Sequence, residues 1–537
     1  MYNNLFSAGT KAMVAGAFCV GIFISCKKDK GNSPNPPTSG YDTSATVKED
    51  SLKYLMYQIM QVTYGDGGRT ASRGLPTYYW YSQVPQLNLK DPNFGTADNL
   101  LTAMKGYAIN PTTNAPYDRY SFLDRTGAVT NQLMNGVSAQ NYVEGTGKLG
   151  LDYAPVLDQS GKLHLFVLYA DKNSPAGLAG LQRGCEITSV NGNSSFSNTQ
   201  SSLQSIYNAI SVSTSVTLGV VKTPGAAQQT VTLNAVSYNV NPVVFDTVFT
   251  VTNNTTKLQE KVGYFVMYTF TSVNNSKGQP TAAKAALDQT FGKFTSQGVK
   301  HVIVDLRYNG GGSTNTAEYL DSALAPSSAA GKVMYTYKYN DKITANLNTV
   351  GLDVQVNFPS NTGGAVLKDV FFIVSRSTAS ASELTLNNLK PYMPVHLIGD
   401  TTFGKPVGFI DFNITMYDAN HKPSIYLADL YAINFETRNA NGEGGYYTGI
   451  PIDNGAKALD YVNVPWGNTA LDQNLEQALN YISNGSYISN LGARMAVTEL
   501  AQSPYGQLRT AIPNAKPMNG FNGMVDFRLS RAASRLK

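Results

Sequence analysis

Val370-Phe371-Phe372-Ile373-Val374-Ser375-Arg376-Ser377-Thr378-Ala379-Ser380-Ala381-Ser382-Glu383-Leu384 is the stretch on which the reading of this chain turns. Five apolar residues make a buried β-type run, the small residues after them make a tight turn, and the chain leaves as a helix through Asn388. Outward from it the same alternation repeats. Residues 262–270, 302–306 and 395–398 read as strands, and residues near 281–296 as a helix. Strands alternating with helices over 255–484 predict an α/β core with at least partly parallel pairing.

A serine at a strand-to-helix turn has an exposed hydroxyl, and backbone N–H groups at the helix start face any negative charge developing beside it. Ser380 is therefore a candidate nucleophile, with the N–H of Ala381 as an oxyanion donor. A serine hydroxyl is inert without a base. Thr401-Thr402-Phe403-Gly404-Lys405-Pro406, directly after another strand, offers Lys405, which can act as a base once burial keeps it neutral. Taken alone, Ser380, like Ser377 and Ser382, reads equally as a cap or turn residue. Glu383 suits either an orienting role on the lysine or the dipole at the helix start.

The third piece is Arg307-Tyr308-Asn309-Gly310-Gly311-Gly312-Ser313 at the end of a buried strand. Glycines there let the backbone approach a ligand closely, and the N–H of Gly311 or of Gly312 would complete an oxyanion hole with Ala381. A phosphate-binding reading is set aside because no Walker-type lysine follows. The four histidines form no His-Glu-x-x-His motif, so neither a zinc site nor any other metal or organic cofactor is expected. A Ser-His-Asp triad through His396 or His421 has no supporting motif.

Toward the N-terminus, residues 140–240 carry short β-type runs broken by Gly, Asn and Pro. They include Ser174-Pro175-Ala176-Gly177-Leu178-Ala179-Gly180-Leu181 and Ile187-Thr188-Ser189-Val190-Asn191-Gly192. This module resembles a PDZ domain. The resemblance implies that a peptide C-terminus adds to a sheet edge, its carboxylate held by the loop Leu149-Gly150-Leu151. Cys185 stands where that family has an acidic residue, and reads as a structural thiol. Before the module, residues 46–126 predict a small N-terminal helical domain with apolar residues at helical spacing from Leu52 to Met60 and the segments Tyr78-Tyr79-Trp80-Tyr81 and Asp118-Arg119-Tyr120-Ser121-Phe122.

Residues 1–26 read as a signal peptide, because the apolar run 12–25 after Lys11 is too short to span a bilayer. Its end, Phe23-Ile24-Ser25-Cys26, resembles the lipobox of bacterial lipoproteins, which implies lipid on Cys26. Residues 27–45, rich in Pro, Gly and polar residues, then read as a linker. The expected location is the cell envelope, at the outer membrane or cell surface of a bacterium. Charged residues are only 14% of the 537-residue chain, against roughly 25% in an average soluble protein. The net charge is +5 with Lys and Arg scattered, so nucleic acid is not an expected partner.

The serine turn, the glycine loop and the lysine, behind a PDZ-like module, resemble the C-terminal processing, or tail-specific, serine peptidases. Ser380 to Lys405 matches that family's spacing. The resemblance runs over residues 50–482 and extends to Asn441-Gly442-Glu443 and Gly449-Ile450-Pro451; Pro406 departs from the glycine of many relatives. It implies a multidomain α+β chain whose core is ClpP/crotonase-like, a Ser380/Lys405 dyad with Glu383 beside it, and polypeptide substrates. The alternative is a catalytically silent peptide- or ligand-binding surface lipoprotein on the same scaffold. Residues 485–537 have no assigned role, as an appendage or a tail, and the oligomeric state stays open.

Overall fold

The computed structural model describes residues 44–63, 87–107, 109–110, 114–116, 118–138, 149–158, 160–345, 347–362, 366–417, 422–489 and 523–529. The signal segment with Cys26, the linker up to residue 43, Tyr78-Tyr79-Trp80-Tyr81, His421 and most of 485–537 lie outside them.

The quoted run forms the strand Asp369–Val374, whose last five residues are all buried. It lies inside a five-stranded sheet ordered Val243–Thr252, Gln259–Met267, His301–Asp305, Asp369–Val374, Val395–Gly399. The first pair is antiparallel and the other three are parallel. A strand alternates its side chains between faces, and here each face has its own core. Val302, Val304, Val370, Phe372 and Val374 pack with Leu287, Leu320 and Leu384 of three helices, Ala282–Ser296, Thr314–Leu324 and Ala381–Leu389. Ile303, Phe371 and Ile373 pack instead on Leu475, Ala478 and Ile482 of the helix Gln473–Asn484. Coverage on both sides is why these strands read as continuous apolar runs.

A second sheet, ordered Gly311–Ser313, Gly523–Val525, Val407–Tyr417, Pro423–Asn439, Val333–Lys338, Gln355–Asn357, stands against this core. It corrects two expectations. The described residues of 46–126 do not form a helical domain of their own. Leu52, Met56, Ile59 and Met60 of the helix Ala45–Thr63 share one hydrophobic cluster with Ile414, Leu430 and Phe372, and the strand Phe122–Asp124 pairs with Pro423–Asn439. An amphipathic helix shows which face is apolar, not what covers it. The C-terminal residues, for their part, reach back as Gly523–Val525 into the middle of this sheet, so that part is neither appendage nor tail.

Residues 149–240 form the expected β-rich module, a five-stranded antiparallel sheet of Leu151–Leu157, Leu163–Ala170, Glu186–Val190, Ser215–Val221 and Gln229–Asn234 in chain order. Its inner cluster includes Leu151, Leu165, Ile187 and Leu218. A second cluster, with Val156, Leu168 and Tyr169, meets Tyr268, Tyr308 and Val462 of the core. Arg183 reinforces that joint: fully buried, it donates to the Val464 carbonyl at 2.8 Å and to Asp460 and lies 4.3 Å from the Trp466 ring. The neighbouring Arg307 bridges Asp305, Asp460 and Asp472, so each buried guanidinium has carboxylate partners.

Candidate active site

Residues 375–379 carry the chain from the end of Asp369–Val374 to the helix Ala381–Leu389, and hydrogen bonds fix that turn from two sides. Thr378 Oγ1 donates to the Leu306 carbonyl at 2.8 Å, while the Ala379 N–H and Ser382 Oγ both donate to the Asn309 carbonyl, at 3.1 and 3.0 Å. Phe403 N–H donates to the Thr378 carbonyl at 2.9 Å, tying in the lysine loop. At the apex Ser380 has φ +61° and ψ −109°, a conformation that costs a residue with a Cβ about 1–3 kcal/mol. Strain of that size persists only where surrounding contacts impose it. Ser380 Oγ lies 3.5 Å from the Val407 carbonyl, two residues past Lys405.

Lys405 is fully buried, with its Nζ 4.3 Å from the centre of the Tyr120 ring and 4.1 Å from that of Phe409. Burial drives its pKa well below the ordinary lysine value of 10.5, against the opposing pull of Asp118 and Glu383. A lysine so placed is available as a neutral amine.

Glu383 joins the two. One carboxylate oxygen accepts from the Ser380 N–H and the Lys405 N–H, both at 2.8 Å; the other accepts from Gly404 N–H at 2.7 Å and Thr402 Oγ1 at 2.5 Å. Its pKa is raised by burial, against the lowering effect of these four donors. It thus acts on the main chain of the serine and of the lysine, as a positioning residue. Beneath it, Ile450 N–H donates to Thr402 Oγ1 at 2.7 Å, which gives the Gly449-Ile450-Pro451 segment its place. Gly404 has φ +96°, and a Cβ on it would meet Gly449 N and Tyr447 O, each at 2.6 Å. Gly404→Ala is expected to displace Lys405 and lower turnover at least tenfold, measured as kcat on an unfolded protein substrate.

The glycine loop meets the serine turn through Asn309, which is fully buried; its Nδ2 donates to Met267 O and its Oδ1 accepts from Gly311 N–H, both at 2.9 Å. Of the two candidate donors, Gly311 is the one beside the turn. A Cβ on it would lie 2.9 Å from Ala381 N and 3.0 Å from Ala379 O, whereas one on Gly312 would strike Phe270 O at 2.4 Å. Ser380, Ala381, Glu383, Lys405 and Gly311 are therefore brought together, and Gly312 lies against Phe270.

Residues 261–419, which include the glycine loop, the serine turn and the lysine, match the model of Peptidase family S41. This segment falls in peptidase family S41. A curated relative, the chloroplastic C-terminal processing peptidase of Tetradesmus obliquus, is 28% identical over 206 residues, which are 37% of this chain and 39% of the relative. The chain thus spans well under half the length of that relative. Among solved structures, a Bacteroides fragilis NCTC 9343 chain provisionally assigned as an S41 protease is similar at TM-score 0.55 and 22% identity, over 80% of this chain and 97% of its own. At that identity the likeness speaks for a shared mixed α/β multidomain fold.

Around the S41 segment, other expected residues fall elsewhere. Leu149, Gly150 and Leu151 lie in the β-rich module, at the start of Leu151–Leu157, which is an edge strand. Gly150 has φ +76°, and a Cβ there would overlap Ser174 at 2.0 Å, so the loop is braced against the helix start at residue 175. Cys185 is buried, and burial raises its thiol pKa. His396 is engaged by Asp453 at 3.2 Å and stacks on Phe371, three residues before the strand end that leads into the serine turn. Among the described residues no group of His, Cys, Asp and Glu is arranged to hold a metal ion. Sequence reasoning missed Tyr120, Phe409, Asn309 and Thr402. Tyr120 stood in the quoted Asp118–Phe122 segment, and nothing local distinguished it from a core aromatic.

Proposed function

We propose that this protein is a serine endopeptidase in which Ser380 attacks a peptide carbonyl of an extended polypeptide. The observation that carries the reading is the Glu383 carboxylate holding the strained Ser380 and the buried Lys405 by their own N–H groups at 2.8 Å. Lys405 takes the hydroxyl proton as the Ser380 oxygen bonds to the carbonyl carbon. The resulting oxyanion is held by the N–H of Ala381 and, once it exchanges Asn309 Oδ1 for substrate, by that of Gly311. The protonated lysine then passes its proton to the leaving amine as the C–N bond breaks, leaving an acyl-Ser380 ester. Water attacks that ester, giving a proton to Lys405, which returns one to the serine oxygen.

The edge strand Leu151–Leu157 and the braced loop before it support docking of a substrate's C-terminal end on the β-rich module in the PDZ manner. Export and anchorage to the cell envelope through lipid on Cys26 are part of the same proposal and rest on the sequence.

Ser380→Ala and Lys405→Ala, compared with the unaltered chain on an unfolded protein substrate, test the dyad: both are expected to lose cleavage while keeping the native circular dichroism. Equal cleavage by all three would remove the assignment. The pH profile adds a second check. Activity needs the neutral amine, so it falls as pH drops through the lysine pKa, and burial places that limb well below 10.5. A limb in the ordinary lysine range would contradict the buried-amine mechanism.

A further inference from the structure

Ser380 and Lys405 are both fully buried, although a polypeptide has to reach them. Apart from the Tyr120 and Phe409 rings beside the lysine, the chain's own C-terminal segment lies against the strands that flank both loops of the site. Gly523–Val525 lies between Gly311–Ser313, which ends the glycine loop, and Val407–Tyr417, which follows the lysine, and it runs parallel to both. Without it those strands would stand roughly 10 Å apart, a slot one strand wide.

The contacts in that slot are those of an added peptide strand. Gly523 N–H donates to the Gly310 carbonyl and Asp526 N–H to the Phe409 carbonyl, each at 3.1 Å. The Gly523 carbonyl oxygen lies 2.4 Å from where a Gly311 Cβ would be, on the same side of Gly311 as Ala381 N. Val525 and Phe527 pack with Val407, Phe409 and Tyr431, the wall that also flanks the lysine. Arg528 grips Glu318 with two bonds, at 2.9 and 2.6 Å.

We infer that residues 523–529 are a peptide bound in cis at the substrate's strand position, so that the C-terminal segment blocks Ser380 until it is displaced. The inference rests on the peptidase reading. It also describes the polypeptide the cleft accepts: glycine against Gly311, apolar residues over the Phe409 wall, and an arginine placed to meet Glu318.

The experiment compares the full chain with a chain ending at Asn522 and with full-length Arg528→Glu, using cleavage of an unfolded protein and binding of a labelled synthetic peptide of residues 523–537. Loss of residues 523–537 is expected to raise kcat/KM at least tenfold. The peptide added in trans is expected to raise KM at constant kcat, and to bind the shortened chain carrying Ser380→Ala. A shortened chain that is folded yet neither gains activity nor binds the peptide would overturn the inference. If shortening prevents folding, Arg528→Glu decides: a folded variant with increased cleavage supports the block, and one without any increase overturns it. Peptide binding without cleavage by any variant would sink the peptidase reading and leave the occupant in place, whereas Ser380-dependent cleavage without peptide binding would sink the occupant alone.

Discussion

Lys405→Met is expected to abolish cleavage and at the same time to make the protein more stable. The lysine amine lies between the Tyr120 and Phe409 rings, at 4.3 and 4.1 Å, with no exposed surface. Holding an amine there is unfavourable in either form: the charged one is desolvated, and keeping it neutral at neutral pH means giving up a proton that the unfolded chain retains. Methionine has a similar length and suits an aromatic wall, so packing is retained while the penalty is removed. The expected gain is on the order of 1–2 kcal/mol, read as a higher urea midpoint or Tm. Losing the general base should lower kcat by about 10²–10⁴-fold.

The sign of the pH dependence follows from the same shift. The folded pKa is depressed below the unfolded one, so between the two values the unfolded state binds more protons and wild-type stability rises with pH. The advantage of Lys405→Met should therefore be largest near neutrality and should shrink as pH approaches the ordinary lysine range. A stability loss, or a gain that grows with pH, would contradict the account.

Glu383→Gln is expected to lower activity and stability together, the opposite pairing. Each carboxylate oxygen accepts two donors, and three of the four are main-chain N–H groups. An amide presents one oxygen and an NH₂ that faces donors, so two buried groups lose their acceptor, at about 1–3 kcal/mol each. Turned one way, the amide fails the N–H groups of both Ser380 and Lys405; turned the other way, it fails Gly404 N–H and Thr402 Oγ1 in the loop that carries the lysine, so the dyad geometry should loosen in either case. The expected result is a fall of about 2–4 kcal/mol in unfolding free energy together with a drop in kcat of at least 10²-fold, without the stabilisation expected for Lys405→Met. Unchanged stability would mean that the carboxylate does not hold the two loops.

The parts of this arrangement that were legible in the sequence are those with a local signature. The run 370–374 announced a covered strand because five consecutive apolar residues leave no polar face, and Ser380 and Lys405 emerged from turn chemistry and from the resemblance to the C-terminal processing peptidases, whose spacing they match. Glu383 was legible as a residue, but its role was not. Its position at the helix start suited several functions, and only the folded arrangement shows that it accepts from both loops. Gly311 and Gly312 could not be separated either, because which glycine faces Ala381 depends on the bridge between Phe270 and Gly312. Tyr120 and Asn309 stood in quoted segments, but their contacts with Lys405, with Met267 and with the serine turn span long sequence separations, so their roles were not legible. Gly523–Val525 was illegible for a further reason: three residues are too few to show a period, and their partners lie over a hundred residues earlier in the chain.

The measurement that bears most directly on the central claim is the site of labelling by a fluorophosphonate, a reagent that reports an activated serine, located by mass spectrometry in the full chain and in the chain ending at Asn522. The account expects label on Ser380 alone, arriving faster in the shortened chain, absent in Ser380→Ala and nearly absent in Lys405→Met. Label on Ser377 or Ser382, or equal labelling of Ser380→Ala, would contradict it.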